Sequence, residues 1–337
     1  MEEAIKISII IVCNNTRLFT EQCLYAVSAA TYGLEAEIFV IDNNSADKAA
    51  EYLSSLFPNI EFIKNKETLS EVEIHSTMFS KTVGEYVLLL NSHVLIGEDC
   101  IRTICYFMDE HSDVGAVGPE ILDIHGNFIP ESKRCFPSFW TSFCKATGLS
   151  SLFPNSARFN KYYLPYLDKN KKHRVDVISS SFMMLRRSAV ETVGWPEEAS
   201  MQYAEDIEIA SRLATREFKC YYLPERILHY GKSVAPVKSK HRRLLIIAYE
   251  ENAKEVKTAC IKQMPEFEFI NLWDLNDNRI MDAISRSNQM KGFTDIVVCY
   301  PDVRFEQFML FMDKMPSKSI TYHIYNKKSG TFLFPEE

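Results

Sequence analysis

The sequence predicts an α/β protein: a mostly parallel sheet flanked by helices, with a second, small α/β domain at its C-terminal end. Three observations carry that expectation. Short apolar runs rich in Ile and Val recur from the N-terminus onward. Windows of helical periodicity separate them, and strands alternating with helices at this spacing build parallel sheets. Finally, the strands at residues 7–12, 37–41 and 86–90 each run into a polar turn.

The elements follow in order. Residues 7–12 form a β-branched run, the mark of a strand buried on both faces. Residues 18–30 have helical periodicity, and 37–41 (EIFVI) is a second strand stopped by Asp42-Asn43-Asn44-Ser45. Residues 46–57 read as a helix with Pro58 just past its end. A third short strand is expected at 60–64, a helix at 71–82 ended by Gly84, and a fourth strand at 86–90. Residues 128–174 differ: they are rich in aromatics and interrupted by Pro130, Pro137, Pro154 and Pro165, which implies short helices and loops layered over the active face. A strand at 175–185, helices at 188–193 and 204–215, a strand at 220–223 and a further apolar run at 227–230 complete the first domain, taken as residues 1–235.

Residues 233–241 form a polar, proline-containing linker. The second domain, 236–337, has expected strands at 244–249, 268–271, 295–299 and 319–325, and expected helices at 253–263, 279–287 and 304–313. About a hundred residues suffice for a separate core. No phosphate-binding glycine loop appears in it, and its role is not readable.

Composition narrows the function. With 337 residues, 46% hydrophobic and 25% charged, the chain has material for about two globular domains. Its net charge of −7 argues against a general nucleic-acid binder. The densest basic run, KNKKHR at 169–174, is either a solvated loop or a contact for anionic lipid head groups or a pyrophosphate. Nine scattered cysteines without CxxC spacing imply a reduced, cytosolic chain with free thiols, and Cys100 and Cys105 are too isolated for a zinc site. The start, MEEAIKISIIIVC, reads as a first strand rather than a signal peptide, and no run of about 20 apolar residues is present to span a bilayer.

In parallel sheets, ligands sit beyond the carboxyl ends of the strands. That rule selects Cys13-Asn14-Asn15, Asp42-Asn43-Asn44 and Asn91-Ser92-His93, with a nucleotide-sized ligand as the natural occupant. Asn, Asp and Ser are also ordinary turn formers, so their joint placement is what matters.

These turns lie in a longer pattern. SIIIVCNN followed by EIFVIDNNSAD resembles the opening of the family 2 glycosyltransferases, whose strands end in V-T-Y-N and D-N-N-S. GEYVLLLNSHVLI is similar to that family's G-E-Y-x-L-x-L-N-P-D stretch. RCFPSFWTSFCKATGLSSLFPNSARFNKYY and VDVISSSFMMLRRSAVETVGW resemble its bacterial rhamnosyltransferase-like branch, and YAEDIEIASRLATREFKCYYLPERILHYGKS resembles the F-E-D-x-D-L segment and the histidine after it. The resemblance covers about residues 5–235. It implies a GT-A fold and inverting sugar transfer, in which an acceptor hydroxyl attacks the anomeric carbon as a nucleoside diphosphate departs. Such a hydroxyl loses its proton as it attacks, so a positioned carboxylate is wanted. The resemblance places Asp206 there as base, with Glu205 and Trp140 on the acceptor side. Asn15, Asp42, Asn44, Asn91 and His93 fall on the donor side. Trp140, Tyr162 and Tyr163 are the aromatics expected to be exposed for stacking on sugar.

The chain also departs from the family. His93 stands where a metal-binding aspartate is usual, and imidazole suits Mn²⁺ better than Mg²⁺. His229, on the family's downstream histidine, is its candidate partner at a divalent metal; the alternative is that basic groups or helix N-termini take the diphosphate. Ser70, His75, Ser76 and Met78 replace a glycine- and asparagine-rich stretch, filling space that a donor would need. Cys13 and Asn14 replace the usual Thr and Tyr. The implied partners are a UDP- or dTDP-linked sugar and a glycan or polyprenyl-linked acceptor of cell-surface polysaccharide synthesis. The implied setting is cytoplasmic, with peripheral contact at the inner membrane face. The alternative is a catalytically degenerate relative acting as a binding or scaffolding module.

Overall fold

A computed structural model of the chain describes residues 4–197, 204–230, 242–263, 267–274, 295–300, 308–309, 312–313, 321–327 and 331–333. The chain divides into two compact units, Met1–Val94 with Asp99–Ile121 and Ile129–Ile227, and Leu95–Glu98 with Leu122–Phe128 and Leu228–Glu337.

The first unit opens with β1 (Ile7–Cys13), α1 (Arg17–Ala30), β2 (Ala36–Asp42), α2 (Ala49–Leu56), β3 (Glu61–Lys64), α3 (Glu71–Lys81) and β4 (Tyr86–Asn91). Ile7, Ile9, Ile10 and Ile11 have no exposed surface. That two-faced burial is why the strand is β-branched rather than alternating. β1 pairs in parallel with β2 and β4, and β2 with β3. α3 starts at a capping box: the Ser70 hydroxyl accepts from the Glu73 N–H, and the Glu73 carboxylate accepts from the Ser70 N–H. α2 begins three residues later than its periodicity indicates. Lys48 takes a left-handed φ of 57°, and the Asp47 carboxylate accepts from the N–H groups of Ala49 and Arg17.

Next come β5 (Val94–Ile96), α4 (Cys100–Glu110) and β6 (Val114–Leu122), then a 3-10 turn at Pro130–Ser132 and β7 (Lys133–Arg134). α5 (Phe139–Ala146), α6 (Leu149–Leu152), β8 (His173–Val175), β9 (Val177–Ile178), β10 (Phe182–Arg186), α7 (Arg187–Val193), α8 (Glu205–Thr215) and β11 (Lys219–His229) follow. The sheet runs β3-β2-β1-β4-β10-β6-β11-β5, with β8 also paired to β11. β10 is antiparallel to both β4 and β6, so the sheet is mixed and mostly parallel, flanked by helices: the α/β, GT-A arrangement that the sequence resemblance implies.

Three sequence expectations are corrected. The strand expected at 175–185 is broken at residue 176 and again at 179–181, because Val175 ends β8 against β11, β9 pairs with β7, and β10 enters the main sheet. The separate runs at 220–223 and 227–230 are one strand, β11, through Pro224. The β8 pairing ends at Tyr222, so on that side the missing proline N–H breaks no ladder bond. α4 and β6 carry no sequence assignment at all. β6 contains two glycines and Pro119, which read as breakers. A side chain at Gly118 would come within 3.0 Å of Ile178, so a close approach accounts for that glycine.

Gly84 has a similar reason. A Cβ there would lie 2.5 Å from the Ser8 nitrogen and 2.7 Å from the Ile7 carbonyl carbon, both backbone atoms of the central strand. Gly84→Ala is expected to lower stability by about 1–3 kcal/mol, read as a lower urea midpoint at unchanged slope.

In the second unit, β12 (Arg242–Ala248), α9 (Glu250–Gln263), β13 (Phe267–Asp274), β14 (Asp295–Tyr300), β15 (Thr321–Asn326) and β16 (Thr331–Leu333) form a sheet ordered β13-β12-β14-β15-β16. Its first four strands are parallel and the last is antiparallel. Ala248, Val256, Cys260, Val297, Cys299, Tyr325 and Phe332 make its core. The expected linker 233–241, the helix at 279–287 and most of that at 304–313 lie outside the described residues. All nine cysteines are buried, and none is in a disulfide.

Candidate active site

Parallel pairing puts the ends of β1, β2 and β4 at one edge: Cys13 is opposite Asp42, and Val12 opposite Asn91. The three polar turns are bonded together there. The Asn43 N–H donates to Cys13 O (2.8 Å), and the Asn14 amide donates to Asn43 O (3.1 Å). The Thr16 and Ser92 hydroxyls meet at 3.1 Å. Asn15 adopts a left-handed φ of 54°; its N–H donates to Ser45 Oγ, and its Oδ1 accepts from Ala46 N–H. Asn44, φ 63°, is exposed on the same rim. Asp42 is fully buried. Its Oδ1 accepts from Ser45 N–H (2.8 Å), and its Oδ2 is buried with no partner. In this conformation Asp42 organises the turn. Asn43, given no separate role from sequence, ties the rim to the next loop through Leu69 N–H, Leu69 O and Asn65. Cys13 is not a nucleophile here: burial, with Asp42 beside it, pushes its thiol up to about 12.

At the β4 turn, Asn91 Oδ1 accepts from the His93 N–H (2.9 Å) and lies 3.0 Å from His93 Nδ1. Because a carbonyl oxygen only accepts, neutral His93 carries its proton on Nδ1, which leaves the lone pair on Nε2. The ring also packs on Phe19, with centroids 4.8 Å apart.

The acidic pair opens α8. Glu205 and Asp206 are 8% and 7% exposed, and neighbours on a helix point about 100° apart. They accordingly find different partners. Glu205 Oε2 is 2.9 Å from His75 Nδ1 on α3, while Glu205 Oε1 is buried without a partner. Asp206 Oδ2 forms a buried ion pair with the Arg134 guanidinium, and Asp206 Oδ1 accepts from Ile207 N–H. Burial works against the Arg134 charge, but Asp206 and Tyr162 outweigh it and hold the pKa above the ordinary arginine value. β7 accounts for this placement, since successive strand residues face opposite ways. Lys133 turns to the carbonyls of Leu164 and Leu167, and Arg134 turns to Asp206 and to Ile178 O.

One short segment connects the two halves. Residues 178–181 accept from Arg134 at Ile178 O and from the Asn91 N–H at Ser181 O. Three residue steps separate the two bonds, a reach of at most about 10 Å along the chain.

His75 and Arg134 carry no role from sequence reading. The helix itself was expected at 71–82, but nothing local marks which long-range partner His75 takes. Within 69–78, the stretch expected to crowd the donor, Ser70 caps α3, Met78 is 2% exposed in the core, and His75 bonds to Glu205. On the acceptor side, Trp140 is 40% exposed; its indole N–H donates to Arg158 O (2.8 Å). Tyr162 and Tyr163 are half-buried edge to face rather than exposed, and the most exposed ring is Phe139 at 87%. A cavity of about 530 Å³ lies among Ser142, Lys145, Ser150, Phe159, Tyr162 and Tyr163.

His229 closes β11, is 4% exposed, and falls in the second unit. Among the described residues, no three His, Cys, Asp or Glu side chains gather as a metal site. The β4 turn has no carboxylate; its donor set is an imidazole Nε2, which fits a borderline cation such as Mn²⁺ better than Mg²⁺.

A mixed α/β sheet, polar turns at one edge and a buried acidic pair on α8 are the features that the sequence resemblance implies. The family model for glycosyl transferase family 2 matches residues 8–194, and the chain belongs to that family; it is a glycosyltransferase. A relative from Mycobacterium tuberculosis, N-acetylglucosaminyl-diphospho-decaprenol L-rhamnosyltransferase, is 25% identical over 222 residues, covering 62% of this chain and 71% of the relative. Among solved structures, the mannosyltransferase PcManGT from Pyrobaculum calidifontis, in complex with GDP-Man and Mn²⁺, is 14% identical with a TM-score of 0.46, over 66% of this chain and 56% of that one. TarS 1-349 of S. aureus is 16% identical with a TM-score of 0.45, over 66% and 60%. The chain thus spans less than two thirds of either solved chain.

Proposed function

We propose that the protein is an inverting glycosyltransferase. It moves a hexose or deoxyhexose from a UDP- or dTDP-linked donor to a glycan or polyprenyl-diphosphate-linked acceptor in cell-surface polysaccharide synthesis. The observation that carries the proposal is Asp206, a buried carboxylate held by Arg134 beside the turns that would take the nucleotide. The relative's name supports a lipid-linked acceptor.

In this mechanism the acceptor hydroxyl gives its proton to Asp206 as its oxygen attacks the anomeric carbon. Arg134 and the Ile207 N–H each engage one carboxylate oxygen, which orients the group while leaving lone pairs to accept from the hydroxyl. Glu205, steadied by His75, offers its unpartnered Oε1 to a second acceptor hydroxyl. Asn15, Asn44 and Asn91 line the donor rim. A divalent cation, if the donor brings one, would neutralise the leaving diphosphate, with His93 Nε2 as the protein's ligand. The enzyme would work in the cytoplasm, at the inner membrane face.

Calorimetric titration with UDP and dTDP tests the donor side. Binding of one of them in Mn²⁺, weakened in Mg²⁺ and further by EDTA, is expected. Absence of binding by either nucleotide at millimolar concentration contradicts the proposal, and binding indifferent to EDTA removes His93 from a metal role.

A further inference from the structure

We propose that the α5–α6 hairpin is a docking surface for an anionic bilayer, the sheet of lipid in which a polyprenyl-linked acceptor is embedded. The inference deepens the proposed function and presupposes its lipid-linked acceptor. Two separate features of residues 128–174 carry it.

The first is apolar exposure. Among the described residues, Phe139, Trp140, Phe143, Leu152 and Phe153 make up half of the large hydrophobics left exposed, with Phe139 at 87% and Leu152 at 69%. They belong to one surface. Phe143 stacks on both Phe139 (6.5 Å) and Trp140 (5.8 Å), and Phe159 joins Trp140 (6.4 Å) to Phe153 (5.1 Å). A contiguous aromatic patch in water is costly unless something covers it.

The second feature is charge. Residues 128–174 hold nine lysines and arginines against two acids, Glu131 and Asp168, in a chain whose net charge is −7. Lys133 and Arg134 are buried, whereas Lys145, Arg158, Lys161, Lys171, Lys172 and Arg174 are exposed. The exposed cations that sit with the rings are Lys145, on α5 itself, and Arg158, over the Phe159 ring. Rings and leucine with such cations are the composition of elements that lie in the lipid interface, where the rings enter the head-group boundary and the cations meet anionic lipid. A second copy of this chain fits less well, since two such patches would set like charges face to face. The cavity beside Lys145 opens in the same hairpin, where an acceptor's phosphate and sugar would emerge from the membrane. Among the described residues, no helix is long and apolar enough to cross a bilayer, so contact here would be peripheral.

The test is co-sedimentation of the full chain with phosphatidylcholine vesicles, with and without phosphatidylglycerol, in the absence of any acceptor lipid. The wild type is expected to bind the anionic vesicles and lose binding at high salt. Phe139→Ser/Leu152→Ser should weaken binding about tenfold or more, from the loss of two inserted apolar side chains. Lys145→Glu/Arg158→Glu should weaken it too, and Tyr106→Ser, an exposed ring on α4, should not. Equal binding by the Phe139→Ser/Leu152→Ser protein, no binding by the wild type, or a dimer that this double variant abolishes would each overturn the proposal. Nucleotide titration of the variants confirms that they are folded. Because the assay reads binding and not turnover, a failure here is distinct from a failure of sugar transfer.

Discussion

Replacing Asp206 by asparagine is expected to lower kcat for sugar transfer by about 10²–10⁴-fold while leaving nucleotide affinity near that of the wild type. The magnitude is that of losing a positioned general base. The split between kcat and affinity follows from geometry. Asp206 lies on α8 beside Arg134, whereas the nucleotide rim is built from the ends of β1, β2 and β4. A parallel loss of nucleotide binding would mean that Asp206 supports the donor instead. Steady-state kinetics and calorimetry on the same preparation give both numbers.

Arg134→Met is expected to be the most destabilising change in the site. It strips the counter-charge from a carboxylate that is 7% exposed, and breaking a buried pair from one side costs about 3–5 kcal/mol. For a unit of this size the melting temperature should fall on the order of 10 °C. Combining it with Asp206→Asn removes the stranded charge, so the double variant should melt above Arg134→Met alone while remaining inactive. Additive losses would show that the two side chains are not coupled. Arg134→Lys should rescue only part of the stability, since one ammonium cannot reproduce the guanidinium's bonds to both Asp206 and Ile178 O.

Much of the first unit was legible because its signals are local. The run at residues 7–12, the helical window at 71–82 and the polar stops after β1, β2 and β4 each encode an element within a few residues. The meeting of the three turns was also readable, since parallel pairing of neighbouring strands leaves their ends little choice. β6 was not legible: its glycines answer to close neighbours distant in sequence, Ile178 at Gly118 and Leu213 at Gly115, and not to a turn. The same limit hid the partners of the acidic pair. His75 lies 130 residues from Glu205, and Arg134 lies 72 from Asp206. The spacing of Lys133 and Arg134 marks opposite faces of a strand, but nothing local says which of them reaches a carboxylate. At 69–78, Ser70, Met78 and His75 are engaged in a cap, the core and a hydrogen bond to Glu205, and only the cap has a partner within the stretch.

The most direct measurement is product analysis after incubation of the wild-type chain with nucleotide-linked sugars, dTDP-rhamnose first, and a short polyprenyl-diphospho-N-acetylglucosamine, run beside Asp206→Asn. A product heavier by one sugar, with its anomeric configuration inverted by NMR and formed far more slowly by the variant, is the result expected here. A product of retained configuration, or one formed equally fast by Asp206→Asn, would contradict Asp206 as the base of an inverting transfer.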